Sequence, residues 1–163
     1  GGGAWIRALR AHRSDLEIHG TEIDSRATSI RQGLAAHGDA LSPASCPWSQ
    51  APGTRWEIWT NPPFSLAGKM LRTWFDSPNP PDRVILLLLQ AWPNAAERAW
   101  VRRHMLQQII LYPRISFGGP GRKAGQTDQR DYAIFEFTPQ PWRSGAAIAR
   151  WYDWRAREVD DGG

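Results

Sequence analysis

Apolar and polar positions follow two rhythms along this chain. From Ala4 to Arg13, Trp5, Ile6 and Leu9 share one face and Arg7, Arg10 and Arg13 lie elsewhere, which predicts a helix. Leu16 to Thr21 reads as a short strand. Ser25 to Ala36 reads as a second helix, with Ala27, Ile30 and Leu34 inward, and a brief strand is expected around Leu34 to His37. The Pro- and Ser-rich stretch from Leu41 to Gly53 is a loop. Arg55-Trp56-Glu57-Ile58-Trp59-Thr60 reads as a buried strand. Ser65 to Phe75 reads as a helix capped by Ser65 and carrying Leu66, Met70, Leu71 and Trp74, and Ser77-Pro78-Asn79-Pro80-Pro81 ends it. Arg83 to Leu89 is apolar on both faces, as a central parallel strand should be. Asn94 to Leu106 is expected to be helical, and Gln108 to Tyr112 and Tyr132 to Thr138 to be strands. Gly145 to Arg157 has the pattern of a weak amphipathic helix.

Strands alternating with helices imply an α/β fold with a largely parallel sheet. The Gly-rich return after Tyr112 leaves no room for a crossover helix, so Tyr132 to Thr138 should pair antiparallel. Residues 1–140 form the expected domain and 141–163 a helical tail. In open α/β sheets, ligands bind beyond the carboxyl ends of strands.

Composition narrows the class. At 163 residues the chain is long enough for one core. Val84-Ile85-Leu86-Leu87-Leu88-Leu89 is too short to span a bilayer, so no membrane association is expected. A single cysteine, Cys46, excludes an internal disulfide framework and a cysteine-built zinc cluster, and fits a reducing cytoplasm. Cys46-Pro47 reverses the Pro-Cys order of cytosine-C5 methyltransferases. The net charge of +4 permits a polyanionic partner. From Arg102 to Arg130 the basic residues Arg102, Arg103, Arg114, Arg122, Lys123 and Arg130 face Asp128 alone. Within that span, Gly118 to Gly125 either grips phosphate or is a solvated loop. His12, His19, His37 and His104 share no ligand spacing, so no metal site is expected.

Asn61-Pro62-Pro63-Phe64 follows the strand at Arg55 to Thr60. The Asn61 carboxamide can accept a hydrogen bond from an exocyclic amine. The two prolines stiffen the loop and let it present carbonyls outward. Phe64 offers a face for a base. Gly1-Gly2-Gly3 precedes a helix, a place where a ligand can approach backbone closely. About twenty residues later, Glu22-Ile23-Asp24 closes a strand. Glu22 is placed either to accept from two ribose hydroxyls or to be solvated, and Asp24 to cap the next helix. Gly38-Asp39-Ala40-Leu41 is either a plain turn or an adenine contact.

In series these pieces resemble class I S-adenosylmethionine-dependent amino-methyltransferases carrying the (N/D/S)-PP-(Y/F) tetrad. They are most similar to small bacterial and phage DNA adenine-N6 methyltransferases. Arg114-Ile115-Ser116-Phe117 through Phe137 is also similar to that group's tail pattern. The resemblance covers nearly the whole chain and implies a Rossmann-like fold, mostly parallel with a terminal antiparallel strand. It implies S-adenosylmethionine held by Gly1, Gly2, Gly3, Glu22, Ile23, Asp39 and Ala40, with Asp39 accepting from the cofactor's adenine amine and Ala40 donating its N–H to N1. It also implies catalysis at Asn61, Pro62, Pro63 and Phe64, and DNA, or else RNA, held by Arg114, Arg122, Lys123 and Arg130. In that family a central first strand precedes the glycine loop. Here the chain begins at the glycines, so an N-terminally truncated domain is expected, with a gap between the strands at Leu16 and Arg55. RNA adenine-N6 or guanine-N2, and protein glutamine, methyltransferases share the tetrad. A non-catalytic, nucleic-acid-binding relative is a further alternative. Oligomeric state is left open.

Overall fold

Val84 to Leu88, five consecutive buried apolar residues, form the centre of the fold. The computed structural model describes residues 3–33, 35–42, 51–115, 130–141 and 147–153. Gly1, Gly2, Leu34, Cys46, Ser116, Phe117, Arg122 and Lys123 lie outside the described residues, as do residues 142–146 and 154–163 of the expected tail.

The elements run α1 (Ala4–His12), β1 (Thr21–Glu22), α2 (Thr28–Arg31), β2 (Ala36–His37), β3 (Glu57–Thr60), α3 (Ala67–Phe75), β4 (Arg83–Leu89), β5 (Met105–Tyr112), β6 (Tyr132–Phe137) and β7 (Ile148–Asp153). Two 3₁₀ helices, Trp92–Asn94 and Ala96–His104, lie between β4 and β5. The fold is α/β with two sheets. One is the parallel pair β1-β2, with Thr21 opposite Ala36 and Glu22 opposite His37. The other is a mixed five-stranded sheet ordered β3-β4-β6-β5-β7. In it β3 and β4 are parallel, as are β5 and β7, while β6 runs antiparallel between β4 and β5.

The core follows from the apolar run of β4. Leu86 and Leu88 pack with Phe135 and Phe137 of β6, whose rings stack at 6.0 Å. Ala67, Met70, Leu71 and Trp74 of α3 cover one side. Fully burying a leucine or phenylalanine stabilises a fold by roughly 1.5–3 kcal/mol, so this cluster holds the large sheet. Trp74 also donates from Nε1 to the Ala40 carbonyl at 3.0 Å, tying α3 to the segment after β2.

Several expectations are corrected. The strands do not form one sheet, because no described strand pairs with both β1 and β3. The strand expected at Leu16 to Thr21 is ordered as ladder only at Thr21–Glu22. Leu16 is exposed, and the Ile18 carbonyl accepts from Arg10 instead of from a strand. The helix expected from Ser25 to Ala36 is confined to Thr28–Arg31. Ala27 is extended at ψ 146°, and Gly33, at φ +65°, stops the helix in a conformation that favours glycine. β3 is a half-buried edge, not a buried strand. Ser65 is not the cap of α3; Leu66 holds that position without a side-chain bond. Asn94 to Leu106 is not an α-helix. Ala95 is extended at ψ 141°, the 3₁₀ segment begins after it, and β5 already starts at Met105. The helix expected from Gly145 to Arg157 is replaced by strand β7 at Ile148–Asp153. The open edge of β5 supplies a backbone ladder there, and Ile148, Trp151 and Tyr152 suit a pleated surface. The antiparallel pairing expected for Tyr132 to Thr138 is present in β6, although β7 follows it in the chain.

Candidate functional site at the carboxyl ends of the strands

Asn61 is the first residue after β3, at the sheet end where parallel strands finish. It is exposed, and its carboxamide has no hydrogen-bond partner among the described residues. The loop behind it is tightly held. The Pro63 carbonyl accepts from the amides of Leu66 at 2.9 Å and Ala67 at 3.1 Å, opening α3 in place of a side-chain cap. The Phe64 carbonyl accepts from Trp92 Nε1 at 2.9 Å. Pro62 is buried, and its carbonyl accepts no bond from a described residue. Of the two proline carbonyls, only that of Pro62 makes no bond to a described residue.

Phe64 is half-buried, its ring tilted against Tyr132 at a centroid distance of 6.2 Å. Tyr132 opens β6 opposite Leu89, the last residue of β4. Trp92 is anchored in turn by Arg98, whose guanidinium lies 4.8 Å over the indole and donates to the Trp92 carbonyl at 2.8 Å. Arg102 donates to the Pro93 and Asn94 carbonyls. Three elements therefore converge on the Asn61 loop: α3, the first 3₁₀ helix and β6. Trp92 and Tyr132 were not anticipated as parts of the site. Trp92 lies three residues beyond β4, so the rule that strand ends carry sites could have found it.

The small sheet brings Glu22 and Asp39 together. Glu22 is half-buried at the end of β1, and Asp39 follows β2 by two residues. Glu22 Oε1 accepts from the Asp24 amide at 3.3 Å. Asp39 Oδ1 accepts from the Leu41 amide at 2.9 Å, the bond of a local turn. Ile23 is 65% exposed, a large apolar side chain beside Glu22. The Ala40 carbonyl is taken by Trp74, and its amide makes no described bond. Asp24 does not cap α2; its carboxylate accepts from the Arg26 amide and guanidinium, and these bonds hold its pKa below the usual carboxylate range. Gly3 stands before α1 at φ +71°, a conformation that favours glycine, with its carbonyl accepting from Arg7. α1 meets β3 through Trp5, edge-on to Trp59 at 5.8 Å.

No protein-family model matches the chain, and no curated protein matches it.

At the other side of the large sheet, Arg114 pairs with Asp131, Nε to Oδ1 at 2.7 Å. Arg130 is exposed and has no described partner. Among the described residues no group of His, Cys, Asp and Glu could hold a metal ion, and no helix is long and apolar enough to cross a membrane.

Proposed function

We propose that this chain is an S-adenosylmethionine-dependent methyltransferase acting on the exocyclic amine of a nucleobase, with adenine N6 in DNA as its target. The observation that carries the reading is the Asn61 carboxamide, exposed and without a hydrogen-bond partner among the described residues, on a loop whose backbone is latched by Trp92 and α3. A carboxamide so placed is available to an incoming donor, and the latched backbone fixes where it stands.

Doubly wound sheets run 3-2-1-4-5. The two parallel pairs, β1-β2 and β3-β4, are compatible with the outer pairs of that order. The residues of the small sheet fit the chemistry of a nucleoside. Glu22 and Asp39 carry carboxylates of the kind that suit hydroxyl and amine donors, Ile23 offers an apolar surface to a ring, and the Ala40 amide makes no bond to a described residue. Gly3 would let a ligand approach the start of α1. When bound, the cofactor supplies an electrophilic methyl group on a sulfonium.

The chain's own part is to activate the amine. The adenine N6 lone pair is delocalised into the ring and is a poor nucleophile. Asn61 Oδ1 accepts one amine hydrogen and the Pro62 carbonyl the other, which localises the pair on nitrogen. The same oxygens stabilise positive charge developing on N6. Phe64, backed by Tyr132, holds the base by its face. As the N–CH3 bond forms the S–CH3 bond breaks to leave a neutral thioether, and the surplus proton on N6 is released to solvent, with no general base assigned. A duplex base must first be flipped out, at a cost of a few kcal/mol.

The test is Asn61→Ala assayed with adenine-containing DNA, RNA and peptide in parallel. Turnover on DNA should fall by about 10²-fold, with cofactor affinity nearly unchanged. Wild-type turnover in the variant, or a methyl group found on guanine or glutamine, would reject the assignment. The break between β1 and β3 favours a second reading, a non-catalytic nucleic-acid-binding subunit. Calorimetry with S-adenosylmethionine separates the two, since that subunit should show no binding heat.

A further inference from the structure

A groove away from Asn61 is bounded by described residues. It has a volume of about 510 Å³ and lies across the carboxyl ends of β5 and β7, lined by Ile110, Tyr112, Arg114, Asp131 and Trp151 among others. That volume suits a ligand of nucleotide size. Its aromatic walls face solvent: Trp151 is 71% exposed and Tyr112 58%. Large exposed rings side by side on a sheet are unusual unless something covers them.

The register fixes their arrangement. Trp151 sits opposite Ile110, and Tyr112 opposite Asp153, so the two aromatics share a sheet face two residues apart on neighbouring strands. Strand spacing and rise then separate them by roughly 8 Å, about two base steps of a stacked strand. Arg114 stands beside them, and its salt bridge to Asp131 is solvent-exposed, the kind of pair an incoming anion can replace at little cost. Arg130, next to Asp131, is exposed and has no described partner. Flat rings next to guanidinium groups, in a chain of net charge +4, match the stacking-plus-phosphate chemistry of single-stranded nucleic acid.

The groove is on the same sheet end as Asn61. The strand order puts β5 three strands and β7 four strands from β3, roughly 14–19 Å. That is about four to six bases at roughly 3.4 Å each.

We propose that Tyr112, Arg114 and Trp151 form a second subsite that holds unpaired nucleotides flanking the base presented to Asn61. The flanking role rests on the proposed function. The binding itself does not, which allows the two to be tested separately.

The probe is fluorescein-labelled oligothymidylate, whose bases carry no exocyclic amine and so cannot be methylated at the proposed centre. Anisotropy titrations of the full chain should show binding to a 12-mer. Trp151→Ala and Tyr112→Ala should each weaken it by about ten-fold. Trp151→Phe, which keeps a stacking face, should lose much less and controls for folding. Arg114→Gln should lower the salt slope by about 0.7, the value for one single-strand phosphate contact. Asp131→Asn should strengthen binding by releasing Arg114. Methyl transfer to adenine-containing DNA by Asn61→Ala tests the catalytic reading separately, since the oligothymidylate titrations are read on the groove variants alone. No binding of the 12-mer, equal binding by Trp151→Ala, or tighter binding of an acidic peptide than of the oligonucleotide would overturn the subsite.

Discussion

The indole N–H of Trp92 does a job that no side chain inside the Asn-Pro-Pro-Phe loop can do. Its donation to the Phe64 carbonyl fixes the loop to the segment that follows β4, and Arg98 fixes Trp92 from above. Trp92 is 3% exposed, so its indole N–H has little water to fall back on. Trp92→Phe keeps a ring in place and removes the donor. It should lower the unfolding free energy by about 1–3 kcal/mol, the cost of leaving a buried polar group unsatisfied. Urea denaturation measures this directly, and an unchanged midpoint would mean the loop is held by α3 alone. The place of Asn61 at the end of a strand was legible in the sequence because two prolines and an aromatic follow an apolar run there, and β3 does end at Thr60. The latch was not, because a tryptophan 31 residues downstream carries no mark of which carbonyl it will reach.

At the scale of elements, pattern and register compete. β4 was read correctly because six apolar residues in a row admit few alternatives to a strand buried on both faces. Its centre should be the most sensitive point of the fold. Leu86 is fully buried against Phe135, so Leu86→Ala should cost about 2–5 kcal/mol, measured by thermal or urea unfolding. A loss under 1 kcal/mol would mean that the core closes over the cavity. Residues 148–153 were misread as helix because Ile148, Trp151 and Tyr152 fit a helical face as well as a strand. The edge of β5 decides for the strand, and that edge is remote in sequence. The segment from Ala96 to His104 has a helical pattern but winds as a 3₁₀ helix. Arg98 and Arg102 bond backward to the carbonyls of Trp92, Pro93 and Asn94, a tertiary preference that local propensity does not contain.

Across the whole molecule, the two sheets differ in how much holds them. The large sheet has continuous ladders from β3 to β7 and a buried core on β4 and β6. The small one has two residue pairs, an α2 of four residues, and one described side-chain bond, from Trp74 to Ala40, joining it to the rest. Regions with few buried apolar contacts and short ladders open at lower free energy than the core. Amide hydrogen exchange should therefore show at least two opening levels. Gly38, whose amide bonds to Glu22, and Ala36, bonded to Gly20, should exchange well before the amides of β4, β5 and β6. Addition of S-adenosylmethionine should then protect residues 20–23 and 36–41 selectively, because a ligand bound by Glu22, Ile23 and Asp39 stabilises the state in which β1 and β2 are paired. Peptide-resolved mass spectrometry separates these segments. Equal protection in both sheets without ligand would refute the unequal stability. Two levels with no cofactor-dependent change at β1 and β2 would leave that architecture standing and remove the small sheet from the cofactor site.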